Sequence, residues 1–585
     1  MAESTSRRLG IVRGLLLISL GLLTSWATAR AIVTVSQEGF GLGVLMRASS
    51  IPALFAVALA AVYAWRGQRW PAVPELKLGL SPGQALLVLA LALGIASMLP
   101  DLANVAGSAT VFLFVLAVVV GFGLALCFCV IGKTLDGVIT YVLTWPFIAF
   151  LENEWGVSLA FDLGSVSRAG ALLSPPSRWN VPLQLGGGTF HMHISQFMLV
   201  LFAIWLARRA LNKQPLIGTS VYWLMGLWVA AGLFSVFFSS DPIKSASSLL
   251  HQVTSPSLFF VLVLNIVRTR DEIVKLCGAL AVATALTVVF HEYMYLYREG
   301  YATLSGRALI ESAGYLGGRI VLTSTISVVF MLMLPLIVGL WLVAKSTKQK
   351  GMWIGVLLCT ITGLVLTFQR SAWLVSAVAI LPFVFLAQGR RFLLFLLAIT
   401  VFLTSFFPGW VSEYGLRFQT IIEKGFLADH AIQTRLQAWQ AALEMAKDYP
   451  FHGVGLGTYK DHYLEYGPPY YYRTARGYVP GPYPHAHSQV LNFAAETGLP
   501  GSLAFLLLIF GFFIAGMKVW RRARSDPLIA GLGGSLIAIE LNAFMGSWIR
   551  SEGPNQLTAL AVVALIVTVD KMQTTSGEWG GMSEN

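Results

Sequence analysis

Two histidines and two arginines are the side chains of this chain best suited to chemistry: His485, His487, Arg435 and Arg370. Histidine exchanges protons near neutral pH, so either imidazole is a candidate general base. The planar guanidinium group of arginine can bind phosphate through two parallel hydrogen bonds. The set therefore suggests proton transfer beside a phosphate-bearing substrate.

Each of these residues also has a plainer interpretation. Arg370 stands between two apolar runs in LVLTFQRSAWLVSAVAI, where an arginine can anchor a helix at the lipid surface. We favour a function, because basic residues are disfavoured on the outer face to which topology assigns this turn. Arg435 could equally be a solvated helix residue. His485 and His487 could bind a metal, but positions i and i+2 diverge on a helix and no cysteine or acidic trio completes a site, so no metal is expected.

Three of the four side chains lie in one polar stretch, residues 408–500, between apolar segments. Its run TRLQAWQAALEMAKDYP begins at Thr434 and carries Arg435 near its start. The residues Leu436, Trp439, Leu443 and Ala446 recur there at helical spacing. This pattern predicts an amphipathic helix whose apolar face rests on the membrane or on the helix bundle.

A glycine-rich segment, HGVGLGTY, follows that run and contains Gly453, Gly455 and Gly457. No strand precedes it and no Lys-Ser/Thr pair follows, so it does not match a phosphate-binding loop. We interpret it as a tight turn that lets the backbone approach another element closely. Glu496 precedes TGLPG at the entry to the next apolar segment, and capping or structural hydrogen bonding is its expected role.

A tyrosine cluster lies between these two motifs, at Tyr463, Tyr466, Tyr470, Tyr471 and Tyr472. Aromatic rings offer flat faces that suit stacking on sugars. Tyrosines at a membrane surface also anchor a protein in the lipid interface. Both interpretations stay open from the sequence.

Composition indicates a polytopic membrane protein: 56% of residues are hydrophobic and 12% charged, against roughly 25% charged in soluble domains. The apolar runs are too long for barrel strands, so we predict an all-α bundle. The formal charge of +12 is spread in short clusters between apolar segments, which indicates membrane topology and not nucleic-acid binding. All four cysteines lie in apolar segments, which argues against disulfides.

About 14 to 16 spans fit the apolar windows. The windows are 10–29, 45–65, 83–99, 109–131, 136–151, 194–207, 217–239, 257–268, 273–294, 319–344, 352–368, 370–387, 391–407, 499–518, 527–547 and 556–571. With the N-terminus inside, every cluster of Lys and Arg in a short loop falls on the cytoplasmic side. This topology predicts cytoplasmic N- and C-termini and places the stretch 408–498 outside.

These windows divide the chain into five predicted regions. Residues 1–215 form an N-terminal transmembrane region without a readable motif, 216–407 a transmembrane core, and 408–498 a large extracytoplasmic loop with amphipathic helices. Residues 499–572 form the C-terminal transmembrane helices, and 573–585 a disordered tail.

The ordered motifs resemble the superfamily of O-antigen ligases and Wzy-type O-antigen polymerases. The resemblance is carried by TFQRSAWL, then R-x-x-x-W followed by KDYPFHGVGLGTY, then HAHSQVLNFAAETGLPG before a span, with FSSDPIKSASSLL upstream. Together these motifs cover about residues 217–570. The first 215 residues lie mostly outside the resemblance.

The resemblance implies a GT-C-like, metal-independent glycosyltransferase without a cofactor. Such enzymes take a glycan from undecaprenyl pyrophosphate at the outer, periplasmic face of the bacterial inner membrane and pass it to an acceptor hydroxyl. By motif, His487 corresponds to the general base, and Arg370 and Arg435 to the arginines that bind pyrophosphate. The family's asparagine after this histidine is Ser488 here. The candidate substrate-binding residues are His485, Ser488, Tyr471, Tyr472 and Arg319.

The expected partners are the lipid bilayer, the undecaprenyl-pyrophosphate-linked glycan and an acceptor. A ligase would deliver polymer to an acceptor such as the lipid A core in lipopolysaccharide biosynthesis. A Wzy-type polymerase would extend the polysaccharide, and a protein O-oligosaccharyltransferase would use a protein hydroxyl. Two other classes stay open: a polysaccharide or lipid transporter, which predicts ionisable residues within spans, and a scaffold for an envelope complex.

Overall fold

A computed structural model of the chain describes residues 109–155, 183–185, 188–190, 194–299, 320–366, 369–386, 430–474, 477–546 and 554–575. The predicted spans 10–29, 45–65, 83–99 and 391–407, and the predicted tail beyond residue 575, lie outside these ranges. The chain forms two compact units, residues 1–137 and 138–585. Helix α1 (Ala109–Ile131) belongs to the first unit, and α2 (Thr134–Trp155) begins there and continues into the second.

The described helices of the second unit follow the apolar windows of the sequence. Those before the polar stretch are α3 (Met198–Leu211), α4 (Val221–Phe237), α5 (Pro242–Leu249), α6 (Ser255–Ile266), α7 (Arg270–Glu299), α8 (Ile320–Val343), α9 (Thr347–Leu366) and α10 (Arg370–Ala379). The remaining ones are α11 (His430–Asp448), α12 (Tyr459–Tyr466), α13 (Gln489–Ala523), α14 (Pro527–Met545) and α15 (Pro554–Thr575).

Five of the described helices are long and apolar enough to cross a membrane, and five shorter apolar helices accompany them. The predicted polytopic all-α bundle is therefore confirmed. Two short antiparallel hairpins add to it: β1 (Leu183–Leu185) with β2 (Gly188–Phe190), and β3 (Tyr470–Thr474) with β4 (Gly477–Gly481).

Two helices begin ten or more residues before the predicted spans. The span expected at 257–268 is the second half of a longer helix, because α5, one π-helical turn and α6 run on continuously from Pro242 to Ile266. Asp241 starts this helix, since its Oδ1 accepts the backbone N–H of Lys244 at 3.0 Å. The last span before the C-terminal pair is also longer: α13 begins at Gln489, ten residues earlier than predicted, and kinks at Gly498, where φ is +70°.

The bundle of the second unit is held by close contacts between α8, α10 and α14. Small residues allow these contacts, as is common between membrane helices. A Cβ added at Gly339 would lie 2.7 Å from the carbonyl oxygen of Pro527, and one at Gly534 would lie 2.2 Å from that of Ala379. Ser535 Oγ also donates to the carbonyl of Leu332 at 2.7 Å.

Candidate active site

The histidine motif lies in the short connection between β4 and α13. His487 has φ +51°, one of two non-glycine residues with positive φ in the described part of the chain. Its backbone N–H donates to Nδ1 of His485 at 3.2 Å. A bulky side chain in this conformation is strained and persists only where the surroundings impose it, which is common at functional sites.

The surroundings of this connection hold the backbone on both sides of His487. Asn492 Oδ1, one turn into α13, accepts the N–H of Ala486 at 3.3 Å. Ser488 is the N-cap of α13, and its Oγ accepts the N–H of Leu491 over a long 3.5 Å. The side-chain amide of Asn492 therefore holds the backbone of the connection that carries His485 and His487, called the histidine loop below. The Ser488 hydroxyl instead caps the helix that follows it.

Arg435 lies beside His487, so the structure brings together two of the three predicted catalytic residues. Burial lowers the pKa of His487, and the positive charge of Arg435 lowers it further, to about 3. The imidazole is consequently neutral at physiological pH and has a lone pair available to accept a proton.

The imidazole ring of His485 and the phenol ring of Tyr483 pack against His487. The ring centroid of His485 lies 4.1 Å from that of His487, and the ring centroid of Tyr483 lies 5.4 Å away. Tyr483 also hydrogen-bonds the side chain of Thr434, the neighbour of Arg435, and its burial raises the pKa of the phenol. Tyr483 therefore ties the N-terminal half of α11 to the histidine loop.

Tyr483, Thr434 and Asn492 were not among the residues singled out from the sequence. Tyr483 directly precedes the PHAHS motif, and Asn492 follows it within one turn of helix. Their closeness to the motif in the sequence could have identified both as site residues. No sequence feature identifies Thr434, because its contact with Tyr483 depends on how α11 packs.

Helix α11 forms as predicted, and the face that packs on the protein is not the one that carries Leu436 and Leu443, whose contact with the membrane stays a prediction. Of the four residues of the predicted apolar face, Leu436 and Leu443 are 40% and 47% exposed, and Ala446 is buried. The buried face consists mainly of Ala438, Ala441, Ala442 and Met445. It packs in one cluster with Tyr459, Tyr463, Tyr483, Ala486 and Ala495. Alanines lie at this contact because they let the helix approach the tyrosine rings closely.

The glycine-rich segment is the predicted tight turn. Gly453, Gly455 and Gly457 all have positive φ. The segment docks on the kink of α13, where the N–H of Val454 donates to Ala495 O at 2.9 Å and that of Gly455 donates to Glu496 O at 3.1 Å. A Cβ on Gly453 would lie 2.2 Å from the carbonyl carbon of Glu496.

Glu496 has the structural role expected of it. Its side chain is fully buried, and Oε1 accepts the backbone N–H of Tyr459 at 3.1 Å. Its carbonyl oxygen accepts the hydroxyl of Ser235, on α4, at 2.6 Å. These bonds join the glycine turn, α4 and the start of α13, and so position the histidine loop on the bundle.

The tyrosines divide into structural and available residues. Tyr463 is 1% exposed within the cluster beneath α11, which excludes it as a sugar-stacking surface. Tyr466 donates its hydroxyl to Asp448 at 2.9 Å, and burial and this carboxylate raise its pKa. Tyr470 meets Tyr483 edge to face. Tyr471 is 58% exposed on β3 and remains available for stacking.

Three of the predicted residues are only partly described or not described. Arg370 is the first residue of α10, and Tyr472 pairs with Val479 in the β3–β4 hairpin, but their side chains lie outside the described part. Arg319 lies wholly outside it. The neighbour of Arg370 is held in place, since Gln369 Oε1 accepts the hydroxyl of Ser327 at 2.6 Å.

Comparison with known proteins gives one family match. Residues 355–506 match the family model Wzy_C, described as O-Antigen ligase. No curated protein matches the chain significantly. The matched segment contains Arg370, Arg435 and the whole histidine motif, but neither Arg319 nor FSSDPIKSASSLL, so it is narrower than the predicted 217–570. For this segment, the match supports the superfamily of O-antigen ligases and Wzy-type polymerases.

Proposed function

We propose that the chain transfers a glycan from undecaprenyl pyrophosphate to an acceptor hydroxyl at the periplasmic face of the bacterial inner membrane, as an O-antigen ligase. The observation that carries this proposal is the pair formed by a neutral, conformationally strained His487 and the adjacent Arg435. His487 directly precedes the N-cap of α13 and Arg435 lies in the first half of α11, both within the segment that matches the family.

The proposed reaction is a single displacement. The acceptor oxygen attacks the anomeric carbon and passes its proton to the unprotonated ring nitrogen of His487. The bond from the anomeric carbon to the pyrophosphate oxygen breaks, and undecaprenyl pyrophosphate leaves with the electron pair. Such a step inverts the anomeric centre, and the proposal includes no metal and no cofactor.

Arg435 has two effects in this scheme. Its charge lowers the pKa of His487. A pyrophosphate bound beside the guanidinium offsets that charge, so the pKa of His487 rises toward the range in which histidine is an effective base. The donor thus activates the base that the reaction requires. In the transition state the same guanidinium stabilises the negative charge that develops on the leaving group.

The remaining predicted residues complete the proposed site. Arg370 is a second ligand of the pyrophosphate, supported by its place at the start of α10 within the family segment. The proposed contacts to the glycans come from His485, Ser488, Tyr471, Tyr472 and Arg319. Among these, the exposed Tyr471 ring is the best supported, because its face is open to a sugar.

An assay with the purified chain in lipid tests the reaction class. Undecaprenyl-pyrophosphate glycan and a core-type acceptor should give glycosylated acceptor and undecaprenyl pyrophosphate in equal amounts, undiminished by EDTA. A chain that moves the glycolipid across vesicles but leaves its glycosidic bond intact is a transporter and contradicts the proposal.

Gene deletion distinguishes ligase from polymerase. Loss of a ligase leaves lipid-linked polymer accumulated, because elongation continues without transfer. Loss of a polymerase leaves single lipid-linked repeat units. We expect accumulated polymer, and single units would identify the chain as a Wzy-type polymerase with the same chemistry. Loss of glycosylated protein without either change would indicate a protein O-oligosaccharyltransferase.

A further inference from the structure

A cavity lies at the end of α13 opposite to the histidine motif. Its volume is about 1020 Å³, and it is lined by residues around the starts of α7, α9 and α14 and the ends of α8, α13 and α15. Helix α13 has 35 residues, which span roughly 50 Å at 1.5 Å per residue. The cavity is therefore remote from the proposed transferase site, and the topology predicted from basic loops makes this end cytoplasmic.

The lining of the cavity is strongly basic. Five basic residues and two acidic ones contribute, which leaves a formal excess of three positive charges: Arg270, Lys345, Arg521, Arg522 and Arg524 against Asp271 and Asp526. The basic residues come from three separate connections along the chain. A preference for positive charge on the cytoplasmic side explains their presence in loops. It does not explain why three loops converge on one cavity.

Ion pairs hold two of these arginines in place and leave others open. Arg270 is paired with Asp526, and Arg522 with Asp570 at 2.8 Å. Within the described residues, Arg521 and Arg524 are exposed and form no ion pair. Their charge is therefore available to a ligand.

An unpaired amide also borders the cavity. Both Nε2 and Oε1 of Gln573 lack a hydrogen-bond partner in the described part of the chain, although the residue as a whole is only partly buried. Both atoms are closed to solvent in this conformation, so the amide reaches a phosphate oxygen in the cavity only after a change of side-chain rotamer.

We propose that this cavity binds the phosphate headgroup of an anionic lipid. Anionic lipids and free phosphates share the group that arginine recognises, but the accessible apolar side chains of Val274, Val343 and Met352 also line the cavity, and Met352 is 48% exposed. Acyl chains would contact such side chains, whereas a free phosphate would leave them wet. Basic pockets between the cytoplasmic ends of membrane helices commonly take lipid headgroups.

Lipid binding to the delipidated full chain in neutral detergent tests the proposal, with native mass spectrometry as the measurement. Cardiolipin and phosphatidylglycerol are titrated in one arm, and inorganic pyrophosphate in the other. The variant Arg521→Gln/Arg524→Gln removes two exposed charges from the lining. Lys348→Gln/Lys518→Gln is the matched control, since both lysines are exposed near the same end but outside the lining.

We expect the wild-type chain to retain anionic lipid, with affinity lowered about 10-fold or more in the arginine variant and less than about 2-fold in the lysine control. Both double variants lose the same net charge, so an equal loss in the two would overturn a specific site. Pyrophosphate binding without lipid binding would overturn the lipid assignment. Binding of neither compound would overturn the proposal of a phosphate-binding site altogether. Unchanged thermal unfolding of the variants establishes that they are folded.

Discussion

At the scale of single residues, His487 has a conformation that is unfavourable for folding. A non-glycine residue at φ +51° costs of order 1 to 3 kcal/mol when the surroundings impose it. Burial and Arg435 also keep the imidazole neutral. Neither property stabilises the chain, and both accord with the proposed role of His487 in the reaction.

The variant His487→Gly separates a catalytic role from a structural one. Glycine adopts positive φ without a Cβ penalty, but the variant also loses the packing of the ring against His485 and Tyr483. Because the two effects partly offset, the free energy of unfolding should fall by less than about 3 kcal/mol. Transfer should fall about 100-fold or more, as expected when a general base is lost. Thermal unfolding and the transfer assay measure the two effects.

Lys213→Gly is the matched control, because Lys213 is the other described non-glycine residue with φ +51°. It should give the same relief of strain with transfer retained. A large loss of stability in His487→Gly, with residual activity in proportion to folded protein, would make His487 a structural residue.

The pH dependence of kcat/KM tests the influence of Arg435. This ratio reports the free enzyme, in which His487 has a pKa of about 3. Transfer by the wild-type chain should therefore show no loss from protonation of His487 as the pH falls from 8 to about 5. In Arg435→Gln the pKa of His487 rises, since a neighbouring positive charge is removed. The residual activity should then decline at a higher pH than in wild type, and unchanged pH profiles would contradict the pairing.

At the scale of elements, the glycine turn and the kink of α13 form the joint between loop and bundle. The amphipathic helix, the tight turn and the role of Glu496 were predictable, because periodicity and glycine spacing are local properties. The face of α11 that packs on the protein was not identified, because the alanines that pack against Tyr459 and Tyr463 carry little apolar signal and their choice depends on tertiary contacts. Contact of Leu436 and Leu443 with the membrane stays a prediction.

Gly453→Ala tests this joint. The added Cβ would lie 2.2 Å from the backbone of Glu496, at φ +68°, so the backbone must shift. We expect a loss of more than about 2 kcal/mol in the free energy of unfolding, measured by thermal or denaturant unfolding. Gly226→Ala in α4 is the control, because its Cβ would meet nothing within 4 Å. It should be neutral or stabilising, and equal behaviour of the two variants would contradict the account of the turn.

At the scale of the whole molecule, the sequence predicts the helices better than it predicts the site, and the sidedness stays a prediction. Apolar runs and basic loops determine where helices begin and which end stays inside. The juxtaposition of Arg435 and His487 was not predictable from spacing, because it depends on Tyr483 joining α11 to a loop far along the chain. Family resemblance supplied that pairing, and the structure gives its physical basis.

Cysteine labelling tests the predicted sidedness. Lys460 is exposed on α12 of the polar stretch, and Lys348 is exposed at the start of α9. In a background lacking the four native cysteines, Lys460→Cys should react with a membrane-impermeant maleimide in intact spheroplasts. Lys348→Cys should react only after permeabilisation. The reverse pattern would invert the topology and exclude a periplasmic site.

Glycan transfer by variants of the purified chain tests directly whether His487 and the arginines catalyse transfer from a lipid pyrophosphate. We expect His487→Ala and Arg370→Ala each to reduce transfer from undecaprenyl-pyrophosphate glycan about 100-fold or more. His462→Ala, a control histidine on α12 bonded to Ser240, should retain transfer. Undiminished transfer by both His487→Ala and Arg370→Ala would contradict the catalytic roles proposed for these residues.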